Sequence, residues 1–157
     1  MATYFLDTSA IIKRYIFEQG QAWILSLCNP AQGHNLYISQ VALVEVVAAI
    51  CRRAREQSIS TAERDRLITV FRQDGKESYN IWLVDTDLYN LAGDLCRSHR
   101  LRAYDAVQLA GVLALRQYTL ANQAPEPIFV CADAGLLDIA GVEGLQVENP
   151  SNYLWVQ

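Results

Sequence analysis

An apolar run, Tyr4-Phe5-Leu6, stops on a carboxylate, Asp7, and Thr8-Ser9 then lead into an apolar-periodic stretch that begins Ala10-Ile11-Ile12. A short unbroken run of aromatic and aliphatic residues marks a buried strand, and hydroxyl residues ahead of a periodic stretch mark helix entry. A strand feeding directly into a helix sets Asp7 at the carboxyl end of that strand, where open α/β sheets bind their ligands. The same position also suits a helix N-cap, so Asp7 alone does not define a site.

The pattern recurs along the chain. Spacing predicts helices over 10–19, stopped by Gly20, and over 21–28, closed by Asn29-Pro30, then a strand over 36–38. Ser39 is expected to cap a long helix over about 40–57, and Ser60 a helix over about 61–72 that Asp74-Gly75 breaks. A third strand is expected over 81–84, with Thr86 or Asp87 capping a helix to about His99. Leu101-Arg102-Ala103-Tyr104 leads into a helix to about Asn122, and Pro125 and Pro127 precede a strand over 128–131. A short helix over 135–140 and a last strand over 145–147 follow. Strands alternating with helices mean βαβ units with right-handed crossovers, hence an α/β fold whose mainly parallel sheet is covered on both faces.

With 157 residues and neither repeats nor a linker, one domain over 1–157 is expected. The net charge of −4 argues against nucleic-acid binding through overall charge and leaves room for local basic patches. Lysine is confined to Lys13 and Lys76, so positive charge is almost entirely arginine, the better residue for bidentate phosphate contacts. Cys28, Cys51, Cys96 and Cys131 are scattered without zinc spacing and read as buried, reduced thiols, which suits a cytoplasmic location. The longest apolar stretch, 41–51, is interrupted by Glu45 and too short to span a bilayer, so no membrane association is expected.

Three further carboxylates share the apolar setting of Asp7. Glu45 has Val41, Ala42, Ala48 and Ala49 as its helical neighbours, although Arg52 and Arg53 would extend a solvent-edge stripe. Asp105 stands near the start of its helix among Ala103, Ala106 and Ala110, where the macrodipole favours a carboxylate with or without a function. Asp133 repeats the Asp7 arrangement at the end of Ile128-Phe129-Val130-Cys131, again as site residue or plain cap. A parallel sheet can bring all four to one end. Clustered carboxylates raise one another's pKa values, and with no lysine nearby a hard divalent cation, Mg²⁺ or Mn²⁺, is the natural partner.

Taken in order, these residues resemble a PIN domain, the fold of VapC-type toxin ribonucleases of type II toxin–antitoxin systems. The resemblance spans nearly the whole chain. It rests on Phe5-Leu6-Asp7-Thr8-Ser9-Ala10, on Glu45 following Ser39, and on Tyr104-Asp105-Ala106-Val107-Gln108-Leu109-Ala110. It closes on Val130-Cys131-Ala132-Asp133 with Leu136 and Val147-Glu148-Asn149-Pro150. It implies a three-layer α/β/α sandwich in which Asp7, Glu45, Asp105 and Asp133 form a metal-binding, catalytic acidic quartet. The implied activity is Mg²⁺- or Mn²⁺-dependent endoribonuclease action, hydrolysing RNA phosphodiesters with a metal-activated water. It further implies a small cognate antitoxin protein and a homodimer. One departure is Cys131, where many relatives carry a Ser or Thr whose hydroxyl supports the acidic site.

Cations for an RNA backbone would come from Lys13 and Arg14, from Arg52, Arg53 and Arg55, or from Arg97, Arg100 and Arg102, each group also readable as a solvated helix face. Tyr104 could stack on a base, but a packed helix aromatic is the expected role. A haloacid-dehalogenase-type phosphatase and a response-regulator receiver both require a late lysine, which the chain lacks after Lys76. An RNA- or protein-binding module acting through complex formation and a housekeeping RNA-processing nuclease stay open as alternatives.

Overall fold

The computed structural model describes residues 1–154. Five strands, β1 (Thr3–Leu6), β2 (Asn35–Ser39), β3 (Asn80–Trp82), β4 (Ile128–Val130) and β5 (Gln146–Glu148), form one sheet in the order β3-β2-β1-β4-β5, and every pairing is parallel. The helices among the described residues are α1 (Thr8–Tyr15), α2 (Gln21–Leu27), α3 (Ala42–Arg55), α4 (Thr61–Glu77), α5 (Thr86–Ser98), α6 (Ala103–Ala121) and α7 (Ala134–Val142).

Alternation along the central strands divides the core. Phe5, Phe129 and Cys131 face α5, α6 and α7, whereas Leu6, Ile38 and Val130 face α1, α3 and α4. The result is the expected three-layer α/β/α sandwich, with the sheet wholly rather than mainly parallel. Helix α6 lies close over β1 because residue 111 is glycine: a Cβ there would stand 2.9 Å from Phe5 Cζ. Strand order reverses between β1 and β4, where Leu6 pairs with Val130, so the segments beginning at Asp7 and Cys131 leave the sheet side by side.

Several expected boundaries move for identifiable reasons. Helix α1 ends at Tyr15, not at 19, because Ile16 turns extended and buries itself in the core. Ser39 is the buried last residue of β2, and α3 starts at Ala42 with no side-chain cap. Helix α4 runs through Asp74-Gly75 to Glu77, anchored by buried Leu67 and Phe71. Asp85, not Thr86 or Asp87, caps α5 by accepting from Leu88 N at 2.9 Å. Strand β3 closes at Trp82, β4 at Val130, and α7 extends to Val142. Of the cysteines expected to be buried, Cys28 and Cys131 are, whereas Cys51 is partly exposed and Cys96 exposed.

Candidate active site

Each of the four carboxylates sits where its element starts or leaves the sheet. Asp7 follows β1, with its backbone N–H donating to Val130 O at 3.0 Å. It is indeed a cap: its Oδ1 accepts from Ala10 N at 3.1 Å. Asp133 caps α7 through Oδ1 and Leu136 N at 3.0 Å. Capping employs one oxygen of each carboxylate for these amides, so cap and site are compatible roles. Glu45 lies on the first turn of α3 and Asp105 on the first turn of α6.

All four line a single cleft of about 450 Å³ at the carboxyl end of β1 and β4, together with Thr8, Ser9 and Gln108. Gln108 Nε2 donates to Glu45 Oε1 at 2.9 Å, and Thr8 Oγ1 donates to the same oxygen at 3.2 Å. Ser9 Oγ donates to Asp7 Oδ1 at 2.6 Å and accepts from Ala132 N at 2.8 Å, tying the two strand exits together. Cys131 Sγ donates to Asp7 Oδ2 at 3.3 Å and receives Asp133 N at 3.3 Å. The thiol therefore occupies the supporting position that a hydroxyl would. Burial, reinforced by Asp7, pushes its pKa far up, so it stays a neutral donor.

The electrostatics fit a cation site. Burial raises the Asp7 pKa to about 6 against the bonds from Ser9, Cys131 and Ala10, with Asp105 adding to the rise. Glu45 is raised by burial and by Asp105, and Asp105 by burial and by Asp133. Among the described residues, no three acidic, histidine or cysteine side chains stand close enough to ligate one ion as they are placed. The donor set, carboxylate oxygens sharing one cleft and suffering mutual repulsion, matches a hard divalent ion in kind, and binding would require these side chains to draw inward.

The basic candidates separate. Lys13, Arg52, Arg53 and Arg102 line the carboxylate cleft, which corrects the expectation that no lysine stands near the acids. Lys13 and Arg53 are both held by Glu18, at 3.2 and 2.9 Å. Arg102 is highly exposed and 3.9 Å from Asp105. Arg100 lines an adjoining pocket with Asp105 and Asp133. Arg14 points elsewhere: it donates to Tyr79 Oη at 3.0 Å and pairs with Asp74 at 3.4 Å, which excludes it from the cleft. Arg97 lines neither pocket. Tyr104 is 52 % exposed, so it is not a packing residue.

Sequence reasoning passed over Thr8, Ser9 and Gln108 as functional residues. The available signal was Gln108 itself, a polar side chain one turn after Asp105 inside the apolar run Ala106–Leu115, and the structure buries it to 2 % exposure.

The PIN domain family model matches residues 4–117. No curated protein matches the chain. Among solved structures, the chain is similar to a toxin-antitoxin complex from Klebsiella pneumoniae (18% identity, TM-score 0.60, covering 97% of this chain and 99% of that one). It is also similar to VapBC2 from Rickettsia felis bound to a DNA fragment from their promoter (14%, TM-score 0.59, 94% and 98%). A third is PAE2754 from Pyrobaculum aerophilum (16%, TM-score 0.61, 93% and 83%). At these identities the likeness is one of fold.

Proposed function

Because the chain belongs to the PIN domain family, we propose that it is a metal-dependent endoribonuclease of VapC type, the toxin of a toxin–antitoxin pair, acting in the cytoplasm. The observation that carries this reading is the convergence of Asp7, Glu45, Asp105 and Asp133, from four separate elements, on one cleft at the sheet's switch point. Three of them hold their protons more tightly than ordinary carboxylates.

A bound Mg²⁺ or Mn²⁺ would supply the charge neutralisation and water activation that hydrolysis of a phosphodiester requires. The chain's own part is positional. Asp7 and Asp133 are fixed by the amides they cap, Glu45 by Gln108 and Thr8, and Asp105 by the start of α6. Arg102 and Arg52 on the cleft wall would meet substrate phosphates. A small antitoxin protein as partner is supported by the similar structure that is a toxin-antitoxin complex, that from Klebsiella pneumoniae, and a homodimer completes the proposal.

The test is cleavage of a mixed RNA pool with Mn²⁺ or Mg²⁺ by the protein, by Asp7→Asn and by Asp105→Asn. Metal-dependent cleavage lost in both variants is the expected result. Metal-independent cleavage, or activity that survives in both variants, would overturn the proposal.

A further inference from the structure

Resting on the nuclease reading above, we propose that a second groove beside the carboxylate cleft holds an unpaired base of the RNA substrate against Tyr104, with its flanking phosphates on Arg52 and Arg55. The groove is about 440 Å³, within the roughly 300–1,000 Å³ of small-ligand clefts. Val44, Ala48 and Ala49 line it from one stripe of α3, at the helical spacing that aligns them with Arg52 and Arg55.

Four observations favour a nucleotide. The groove shares Thr8, Glu45, Ala49 and Arg52 with the carboxylate cleft, so a strand whose phosphate lies among the acids passes directly into it. Tyr104 immediately precedes Asp105, is 52 % exposed at the start of α6 and lines the groove. Val44, 58 % exposed, gives an apolar surface of the kind a base face covers. Arg52 and Arg55 are both exposed, and Arg52 has only a loose 3.9 Å pair with Glu56, so neither guanidinium is committed to the fold. Stacking on an aromatic ring combined with arginine along the backbone is how sequence-tolerant single-strand binding is built. A duplex keeps its bases stacked on one another and offers Tyr104 none.

The experiment measures binding of short fluorescein-labelled single-stranded RNAs of mixed sequence, in chelator so that nothing is cleaved, to the full chain and to its variants. Tyr104→Ala is expected to weaken binding about tenfold, while Tyr104→Phe stays within about twofold of the parent. Arg55→Ala is expected to weaken it about threefold and to lower the salt dependence. The same strands annealed into duplex should show no dependence on residue 104. Equal binding by Tyr104→Ala and the parent, the same loss on duplex, or no single-strand binding by the parent each overturns the proposal. So does a Tyr104 dependence confined to a protein partner. Mn²⁺-dependent cleavage, measured in parallel, separates the two readings. Cleavage that is indifferent to residue 104 in rate and KM sinks the groove alone, whereas Tyr104-dependent binding without any cleavage sinks the nuclease and keeps the groove.

Discussion

Gln108 Nε2 lies 2.9 Å from Glu45 Oε1, joining the second turn of α6 to the first turn of α3. Gln108 Oε1 is buried with no hydrogen-bond partner among the described residues. An unpaired buried acceptor costs about 1–3 kcal/mol, so the amide is retained at a cost to stability. Holding Glu45 is what it gains. Gln108→Leu is therefore expected to leave the melting temperature equal or higher while metal-dependent cleavage falls about 10–100-fold, the usual penalty for losing an outer-shell support. Thermal melting and single-turnover cleavage on one preparation check both halves, and a variant that is less stable and equally active would refute it.

Asp7 yields a prediction with a definite sign. Its folded pKa of about 6 lies above the unfolded value near 3.8, so between these limits the folded chain binds a proton that the unfolded chain does not. The resulting stability is fully present below about pH 4 and is lost as pH rises through about 6. At neutral pH without metal, the ionised Asp7 costs about 3 kcal/mol. Asp7→Asn keeps an oxygen for Ala10 N and Ser9 Oγ, so it is expected to stabilise the metal-free protein by about 2–3 kcal/mol at pH 7.5. The advantage should vanish near pH 4. Urea unfolding across this range measures it, and an advantage independent of pH would mean that ionisation is not its source.

Cys131 tests how the acid is tuned. Its thiol donates to Asp7 Oδ2, and a hydrogen bond to the charged form favours that form. Cys131→Ala removes the donor and is expected to move the pH midpoint of Mn²⁺ binding upward, by about half a unit, relative to the parent. Cys131→Ser retains a donor and should not show that upward shift. Calorimetric Mn²⁺ titrations at several pH values read the midpoint directly.

Much of this site was legible because its residues break patterns: Asp7 and Asp133 interrupt strand exits, and Glu45 and Asp105 interrupt apolar helix faces. What the sequence concealed depends on tertiary neighbours. Gly75 looks like a helix stop, yet α4 continues through it because Leu67 and Phe71 bury the preceding turns against the core. Asp7 and Asp133 were each weighed as cap or site, and both are caps that also face the cleft, a combination a linear pattern cannot resolve. Tyr104 reads in sequence as a packed helix aromatic sooner than as a stacking one, and its 52 % exposure corrects that reading, because exposure is set by tertiary neighbours.

Gly111 is where α6 meets the sheet. A methyl group there would stand 2.9 Å from Phe5 Cζ, and Phe5 is fully buried between neighbours on both sides. Overpacking a filled core costs about 1–3 kcal/mol, against about 1 kcal/mol that alanine gains over glycine in a helix. Gly111→Ala is expected to lose up to about 2 kcal/mol. It should also impair cleavage, because α6 carries both Asp105 and Gln108. Denaturant unfolding paired with cleavage rates would show it, and an alanine variant more stable than the parent would mean that Phe5 yields freely.

Arg14 supplies the opposite control. It looked like a phosphate contact from its place beside Lys13, yet its guanidinium is engaged by Tyr79 Oη at 3.0 Å and Asp74 Oδ1 at 3.4 Å, while Tyr15 Oη donates to Asp74 Oδ2 at 2.7 Å. The cluster fastens α1 to the end of α4, on the side of α1 away from the carboxylates. Removing the cation leaves Asp74, largely buried, with only the tyrosine hydroxyl, and stranding one member of such a pair is costly. Arg14→Met preserves the apolar stem and is expected to lose about 2–3 kcal/mol of stability. Well below its melting temperature, its RNA affinity and cleavage rate should equal those of the parent. Arg52→Met, on the cleft wall, should do the reverse, with unchanged melting and weakened RNA binding whose salt dependence is shallower by about one phosphate contact. If Arg14→Met instead weakens RNA binding at full stability, the substrate path crosses the face of α1 that the Asp74 cluster occupies.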